Sequence, residues 1–408
     1  MNGAGAARAG APVRACDVLV VGGGPAGLFL GALLAQRGVE VTVLERRTEP
    51  STHSRAIGLH PPALAALQVL GMSEAALARG TPIERGVGRS RGHLLGHLAF
   101  DRVRADFPFV LALPQHSTEA LLAHRLEELT PGALHRGWEV RDVHDESGSV
   151  HVTAERSAAS GAGFAAGPGA ATAWRARAVV GADGARSLVR ARAGIGTRRV
   201  SYPDTYLMGD FADTTDDGGT AVIHLGPGGV VESFPLPGRV RRWVAHTGST
   251  PAEPSPEALA AIVGRRTGVE LQSGSNTMVS AFAVRRQLAR HMVDGRLALI
   301  GDAAHEISPI GGQGMTLGWL DALALAPLLE RLVADDAGRP LQELPRFRDF
   351  ERARLRAART AARVAHLNMV LGRPAPAPVG RARDVALRAV LGTPLRHRLA
   401  RTFTMGWA

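Results

Sequence analysis

Cysteine is almost missing from this chain: Cys16 is the only one in 408 residues. A single thiol excludes an internal disulfide framework, a Cys-x-x-Cys redox pair and a multi-cysteine zinc or iron–sulfur site. We predict no metal site. The same scarcity favours a reducing compartment, so we expect a cytoplasmic protein.

Lysine is absent as well, so all 48 basic side chains are arginines, and the net charge is +11. A basic balance often indicates a nucleic-acid partner. Arginine is instead scattered through every segment, and aromatic residues make up only 4% of the chain. Because so few aromatic rings cannot form a base-stacking platform, we predict no nucleic-acid partner.

Long apolar segments are also lacking. Residues 1–14 have no apolar core of the kind found in a targeting signal. Residues 18–36 carry no charge, but Gly22, Gly23, Gly24 and Pro25 lie within them and argue for a strand, a turn and a buried helix. We predict no transmembrane segment.

The order of elements predicts an interrupted α/β fold. Residues 17–47 have the pattern of a βαβ unit, whereas residues 200–285 consist of short runs typical of an antiparallel sheet. From residue 314 onward the pattern is helical, with breaks expected at prolines that include Pro327. We predict a Rossmann-like domain of residues 1–84, 105–195 and 283–330, a sheet domain of residues 85–104 and 196–282, and a helical region of residues 331–408.

A glycine motif, Gly22-x-Gly24-x-x-Gly27, lies between the first predicted strand and helix. The first glycine permits a tight turn, the second lets the backbone approach a diphosphate, and the third allows close packing of helix and strand. Glu45 follows at the end of the next strand, where it can accept hydrogen bonds from ribose hydroxyls. The motif predicts a dinucleotide site but does not separate FAD from NAD.

Two later segments carry acidic and glycine residues at the ends of predicted strands. AVVGADGARSLVR contains Asp183 and Arg186, and LALIGDAAHEISPIGGQGMTL contains Gly301 and Asp302. In open α/β sheets, ligands bind at the carboxyl ends of the strands, so Asp302 is a candidate for cofactor contact. Asp183 could order a loop around a cofactor, but the segment by itself is more typical of an ordinary Asp-Gly turn. His305, in the second segment, is expected to be a hydrogen-bonded structural residue.

These three segments, together with SRAIGLHPPALAALQVLG and LPQHSTEALL, occur in an order and at distances that resemble the class A FAD-dependent monooxygenases, the p-hydroxybenzoate hydroxylase-like aromatic hydroxylases. The resemblance covers roughly residues 16–370. It implies that FAD and NAD(P)H are the cofactors. The cofactor-binding residues that it implies are Gly22, Gly24, Pro25, Ala26, Gly27, Glu45, Arg46, Arg55, Gln115, Val140, Asp183, Arg186, Gly301, Asp302, Pro309, Gly312, Gly314 and Met315.

Several of these roles follow only from the resemblance. Arg46 would touch the adenosine end of FAD or NADPH, Val140 would contact adenine through its backbone, and Asp302 would bind the ribitol. Arg55 and Pro309 would lie beside the flavin ring and are candidate catalytic residues. This chain departs from the family at Thr316, where the family often has asparagine.

The resemblance implies that NAD(P)H reduces FAD, and that dioxygen forms a C4a-hydroperoxide that hydroxylates an aromatic or polycyclic, natural-product-like small molecule. The alternatives are epoxidation or hydroxylation of a non-aromatic isoprenoid or polyketide, reduction of isoprenoid double bonds, and a flavin-binding accessory role without turnover. The expected partners are a small-molecule substrate and dioxygen, with the protein a monomer or homodimer.

The substrate pocket offers few candidate acids and bases. The only tyrosines are Tyr202 and Tyr206, too few for the tyrosine network of p-hydroxybenzoate-type enzymes. His224, in the strand-like run AVIHLG, is therefore the candidate for a polar group facing the substrate, because its ordinary pKa suits proton exchange near neutrality. The alternation along this run leaves open which face points inward.

Overall fold

The computed structural model describes residues 13–50, 56–146, 148–157, 171–250, 253–335 and 339–408. The strands in chain order are β1 (Arg14–Val21), β2 (Val41–Glu45), β3 (Gly58–Leu59), β4 (Thr81–Ile83), β5 (Arg85–Ser90), β6 (His93–Ala99), β7 (Val110–Ala112), β8 (Leu134–Arg136), β9 (Trp138–Glu146), β10 (Ser149–Arg156), β11 (Thr172–Gly181), β12 (Thr197–Ala212), β13 (Ala221–Leu225), β14 (Val231–Leu236), β15 (Val240–Thr247), β16 (Met278–Ala289), β17 (Val293–Asp294), β18 (Leu297–Leu299) and β19 (His305–Glu306). The helices are α1 (Pro25–Gln36), α2 (Pro61–Val69), α3 (Ser73–Leu77), α4 (Gln115–Leu129), α5 (Leu188–Arg192), α6 (Pro256–Thr267), α7 (Gly314–Asp335), α8 (Pro345–Gly372), α9 (Ala377–Leu391) and α10 (Leu395–Phe403).

The first sheet has a parallel core in the order β18-β11-β1-β2-β8, with β17, β9 and β10 added by antiparallel pairing. The apolar run of β1 is buried on both faces, which is typical of a central parallel strand. Helices α1 and α7 pack against each other beside the sheet, with Phe29 stacked on Trp319 at 5.1 Å between ring centroids. The predicted βαβ unit and the α/β fold are confirmed.

The second sheet has the order β19-β16-β12-β15-β14-β13-β5-β6 and is antiparallel except where β5 runs parallel to β13. Helix α6 covers one face, where Leu259 and Val263 pack against Phe211 and Trp243. β16 crosses the predicted domain boundary at residues 282–283, because this one strand pairs with β12 and then leads back to the first sheet. A small third sheet has the order β3-β7-β4.

The C-terminal region is helical, as expected, but α7 continues through Pro327. The prediction of a break there is wrong. Leu325, Ala326 and Leu329 are buried around the proline, and this packing holds the helix together where one backbone hydrogen bond is lost. Helices α9 and α10 pack against β6. None of the helices in the described ranges has the length and apolar character needed to cross a membrane.

Candidate active site

A cavity of about 700 Å³ lies between the two large sheets. One side is formed by loops that follow β1, β11 and β18, which are the carboxyl ends of parallel strands. We call the opposite side the roof; it consists of side chains from the second sheet. The roof residues used below are Ile223, Leu225, Glu232, Phe234, Val244 and Phe282.

The glycine turn has the geometry that a diphosphate requires. Gly22 has a φ of +107°, and a Cβ there would lie 2.4 Å from the carbonyl oxygen of Ala182. A Cβ on Gly27 would lie 1.9 Å from the carbonyl oxygen of Gly22, so close packing of α1 depends on glycine. A Cβ on Gly24 would meet nothing within 4 Å. No side chain caps the N-terminus of α1, which leaves its first N–H groups and positive dipole end for an anion.

Glu45 lies beside this turn, at the end of β2. Its Oε2 accepts a hydrogen bond from the backbone N–H of Gly23 at 2.7 Å, and its Oε1 accepts from the backbone and guanidinium of Arg47 at 2.9 and 2.8 Å. Burial alone would raise the pKa of Glu45, but the hydrogen bonds and charge of Arg47 lower it. The carboxylate is therefore ionised, and its remaining lone pairs can accept ribose hydroxyls.

Asp302 lies just after β18 and lines the cavity. Burial raises the pKa of Asp302 to about 6, with His305 lowering it and Glu306 raising it. Among the described residues, none donates a hydrogen bond to its carboxylate. A carboxylate that faces the cavity without a partner suits the hydroxyl groups of a ribitol chain.

A buried ion-pair network lies behind Asp302. His305 Nε2 lies 2.5 Å from Asp321 Oδ2, which also accepts the backbone N–H of Gly301 at 3.0 Å. Arg354 donates to Asp321 Oδ1 at 2.7 Å. Burial opposes charge on His305, but the carboxylate of Asp321 outweighs it and raises the pKa of His305. The network holds the Gly301–Asp302 turn, and it agrees with the structural role expected for His305.

Asp183 orders the loop after β11. Its Oδ2 accepts the backbone N–H groups of Leu188 and Val189 at 2.7 and 3.2 Å, while its Oδ1 is buried without a partner in the described residues. Burial raises the pKa of Asp183. Arg190 joins this loop to the turn after β18, donating to the carbonyl oxygens of Ala185 and Ala303 at 2.8 and 2.7 Å.

The predicted cofactor residues fall into two sets in the structure. Those that line the cavity are Gly24, Pro25, Ala26, Gln115, Gly301, Asp302, Pro309, Gly312, Gly314 and Met315. Those placed outside its lining are Gly22, Gly27, Glu45, Arg46, Val140, Asp183 and Arg186. Gly22, Gly27 and Glu45 support the turn from behind, whereas Arg46 and Arg186 are exposed and Val140 lies in β9 opposite Ala154. Arg55 lies outside the described residues.

The expectation that His224 faces the substrate is corrected by the strand register. Ala221, Ile223 and Leu225 line the cavity, so His224 lies on the other face of β13, where its ring stacks near Trp243 at 6.3 Å between centroids. Burial and the charge of Arg89 lower the pKa of His224 to about 4. His224 is therefore a buried, neutral imidazole beside α6.

The second sheet contains acidic residues that the sequence analysis did not single out. Glu232 lies in β14 directly opposite Ile223 and Val244. Asp210 in β12 pairs with Arg242 through two hydrogen bonds of 2.6 and 2.7 Å. Alternation along VESFPL places Glu232 and Phe234 on one face, but only the register with β13 and β15 shows that this face lines the cavity.

The chain matches the FAD binding domain family over residues 15–359. It is 35% identical over 334 residues to 6-methylpretetramide 4-monooxygenase from Streptomyces rimosus, an alignment that covers 79% of this chain and 57% of that relative. The chain belongs to the FAD-binding family of class A monooxygenases.

Two solved structures resemble the fold. The p-nitrophenol 4-monooxygenase from Pseudomonas putida superimposes with a TM-score of 0.82 over 97% of this chain and 98% of its own, at 23% identity. The anhydrotetracycline hydroxylase from Streptomyces rimosus superimposes with a TM-score of 0.77 over 96% of this chain and 76% of its own, at 27% identity. The uncapped helix, the open space at Gly24 and the unpartnered Asp302 fit the FAD that this family binds.

Proposed function

We propose that the protein is a FAD-dependent monooxygenase that uses NAD(P)H and dioxygen to hydroxylate an aromatic or polycyclic small molecule. The observation that carries the proposal is that the dinucleotide turn, the Asp302 loop and the largely apolar roof all line the same cavity. Relatives named for 6-methylpretetramide and anhydrotetracycline support a substrate of this class, in secondary metabolism.

Different residues on the cofactor side of the cavity would bind different parts of FAD. The N-terminus of α1 would hold the diphosphate, Glu45 the adenosine ribose and Asp302 the ribitol. Residues 309–315 lead into α7, whose N-terminal N–H groups and dipole would stabilise negative charge on the reduced flavin ring. FAD, when bound there, would accept a hydride from NAD(P)H and activate dioxygen.

The roof would shape the substrate site and exclude water. Ile223, Leu225, Phe234, Val244 and Phe282 give it an apolar surface against which a flat ring can pack. Excluding water matters because it prevents loss of a reactive oxidant by side reactions. Helices α8 to α10 contribute further apolar side chains to the cavity, including Leu371, Leu391 and Phe403. The cytoplasmic location and the monomeric or homodimeric state stay predictions.

The proposal is tested with the purified protein. We expect a yellow protein that releases FAD, and not FMN, on denaturation. Hydroxylated polycyclic compounds should stimulate NAD(P)H oxidation, and the product should contain one atom of label when the reaction is run under ¹⁸O₂. Protein that cannot be reconstituted with FAD would contradict the proposal, and turnover without label would instead indicate a reductase.

A further inference from the structure

Glu232 is an acidic residue of the roof, with the apolar side chains Ile223 and Val244 beside it. Directly opposed residues on paired strands point to the same face, and Ile223 and Val244, the two partners of Glu232, both line the cavity. Its chain neighbours Val231 and Ser233 point the other way, where Val231 joins the core under α6. The carboxyl group of Glu232 therefore faces the cavity.

This carboxyl group has no partner among the described residues, unlike Asp204 and Asp210 of the same sheet. Asp210 is paired with Arg242, and Asp204 accepts hydrogen bonds of 2.9 and 2.7 Å from Arg373. Arg242 and Arg373 thus already have carboxylate partners. Glu232 has neither an ion pair nor a hydrogen bond within the described ranges, and burial raises its pKa to about 7.

The second unpartnered polar group in the same region is the hydroxyl of Tyr206. It is buried without a hydrogen-bond partner in the described residues, and its ring stacks on Phe282 at 5.4 Å. Burial, and then the charge of Glu232, raise the pKa of Tyr206. His246, opposite Tyr206 on β15, is itself 3.4 Å from Asp204.

We propose that Glu232 is the substrate-binding acid of the cavity and accepts a hydrogen bond from a hydroxyl group on the aromatic ring of the substrate. This proposal rests on the proposed function and narrows its substrate class to polycyclic phenols. In the reaction, the substrate O–H bond breaks and its proton forms an O–H bond on the Glu232 carboxylate. The resulting phenolate is more nucleophilic at its ring carbons, one of which would form a C–O bond to an oxygen atom supplied by dioxygen, with NAD(P)H as the two-electron reductant. When the ring regains aromaticity, the C–H bond at that carbon breaks and its proton passes to water, while the substrate oxygen takes its own proton back from Glu232.

The test compares Glu232→Gln, which keeps the size of the side chain and removes its charge, with Glu257→Gln on the exposed start of α6 as a matched control. The probes are 1-naphthol and 1,8-dihydroxyanthraquinone, each paired with its methyl ether. Binding is measured by calorimetry on the oxidised protein without reductant, so it does not depend on turnover. Loss of flavin or of ¹⁸O incorporation would count against the proposed function, whereas these binding ratios test Glu232 alone.

We expect the wild type and Glu257→Gln to bind at least one hydroxyl compound more tightly than its methyl ether. In Glu232→Gln, the ratio of these two affinities should be about tenfold smaller. In the wild type the preference should increase as pH rises through about 7, because the ionised carboxylate is the better acceptor. The pH series needs no variant, so it holds even if Glu232→Gln fails to fold. A wild type that prefers no hydroxyl compound, a pH-independent preference, or an unchanged preference in Glu232→Gln would overturn the proposal.

Discussion

The substitution Asp302→Ala should weaken FAD binding without destabilising the fold. The carboxylate faces the cavity and has no hydrogen-bond donor among the described residues, so the substitution breaks no contact described within the chain. It removes the proposed charge-assisted hydrogen bond to the ribitol of FAD. Such a bond contributes about 1.5–3 kcal/mol, which corresponds to about a 10- to 100-fold weaker FAD affinity.

The stability of the FAD-free protein should respond differently. Because the pKa of Asp302 is raised to about 6 in the folded chain, this group favours folding while it is protonated, and that contribution is lost as pH rises through about 6. At pH 7.5 the Asp302→Ala variant should therefore unfold at a denaturant concentration no lower than that of the wild type. The wild type should also bind FAD more weakly as pH falls through about 6, and the variant should lack this dependence.

The assay is titration of the FAD-free protein with FAD, followed by flavin fluorescence, beside urea unfolding of the same samples. Asp349→Ala, at an exposed position of α8, is the matched control and should bind FAD like the wild type. An FAD affinity in Asp302→Ala equal to that of the control would refute the ribitol role. Weak binding accompanied by lower stability would show that Asp302 acts through the fold instead.

The other predictions concern the buried network, the turn and His224. Asp321→Asn leaves the buried charges of this network unbalanced and should lower the free energy of unfolding by about 3 kcal/mol, measured by urea denaturation; an unchanged midpoint would contradict the ion-pair geometry. Gly27→Ala should abolish FAD retention because its Cβ would overlap the oxygen of Gly22, whereas Gly24→Ala, which meets no chain atom within 4 Å, should fold normally by circular dichroism. His224→Gln should keep the wild-type ratio of product to NAD(P)H consumed, and a rise in uncoupled peroxide would place the imidazole at the substrate after all. Because the pKa of His224 is lowered to about 4, wild-type stability should fall as pH drops from about 6.5 to about 4, by up to about 3 kcal/mol from this group, and His224→Gln should reduce that slope in acid unfolding.

The cofactor side of the cavity could be predicted because its features are local in the chain. The steric demands at Gly22 and Gly27 arise within one strand–turn–helix unit, and any chain with that pattern meets the same contacts. Asp302 follows a buried strand, and the carboxyl ends of parallel strands lie at the same edge of the sheet. The position of Asp302 at the ligand-binding edge therefore followed from the local pattern. The interrupted α/β arrangement followed from the same short-range patterns.

The substrate side and the supporting network depended on tertiary structure. A strand that alternates along its length has two faces, and only the pairing of β13 with β14 and β5 directs Ile223 to the cavity and His224 away from it. The same pairing decides that Glu232 faces the cavity, although nothing in VESFPL distinguishes its two faces. His305 and Asp321 meet because α7 packs against the turn at Gly301–Ala303, which lies just before His305 in the chain. The sequence by itself thus determined the dinucleotide turn and the class of fold. The sheet face on which His224 and Glu232 lie, and the pairing of His305 with Asp321, were decided by strand register and helix packing, because these are long-range properties of the chain.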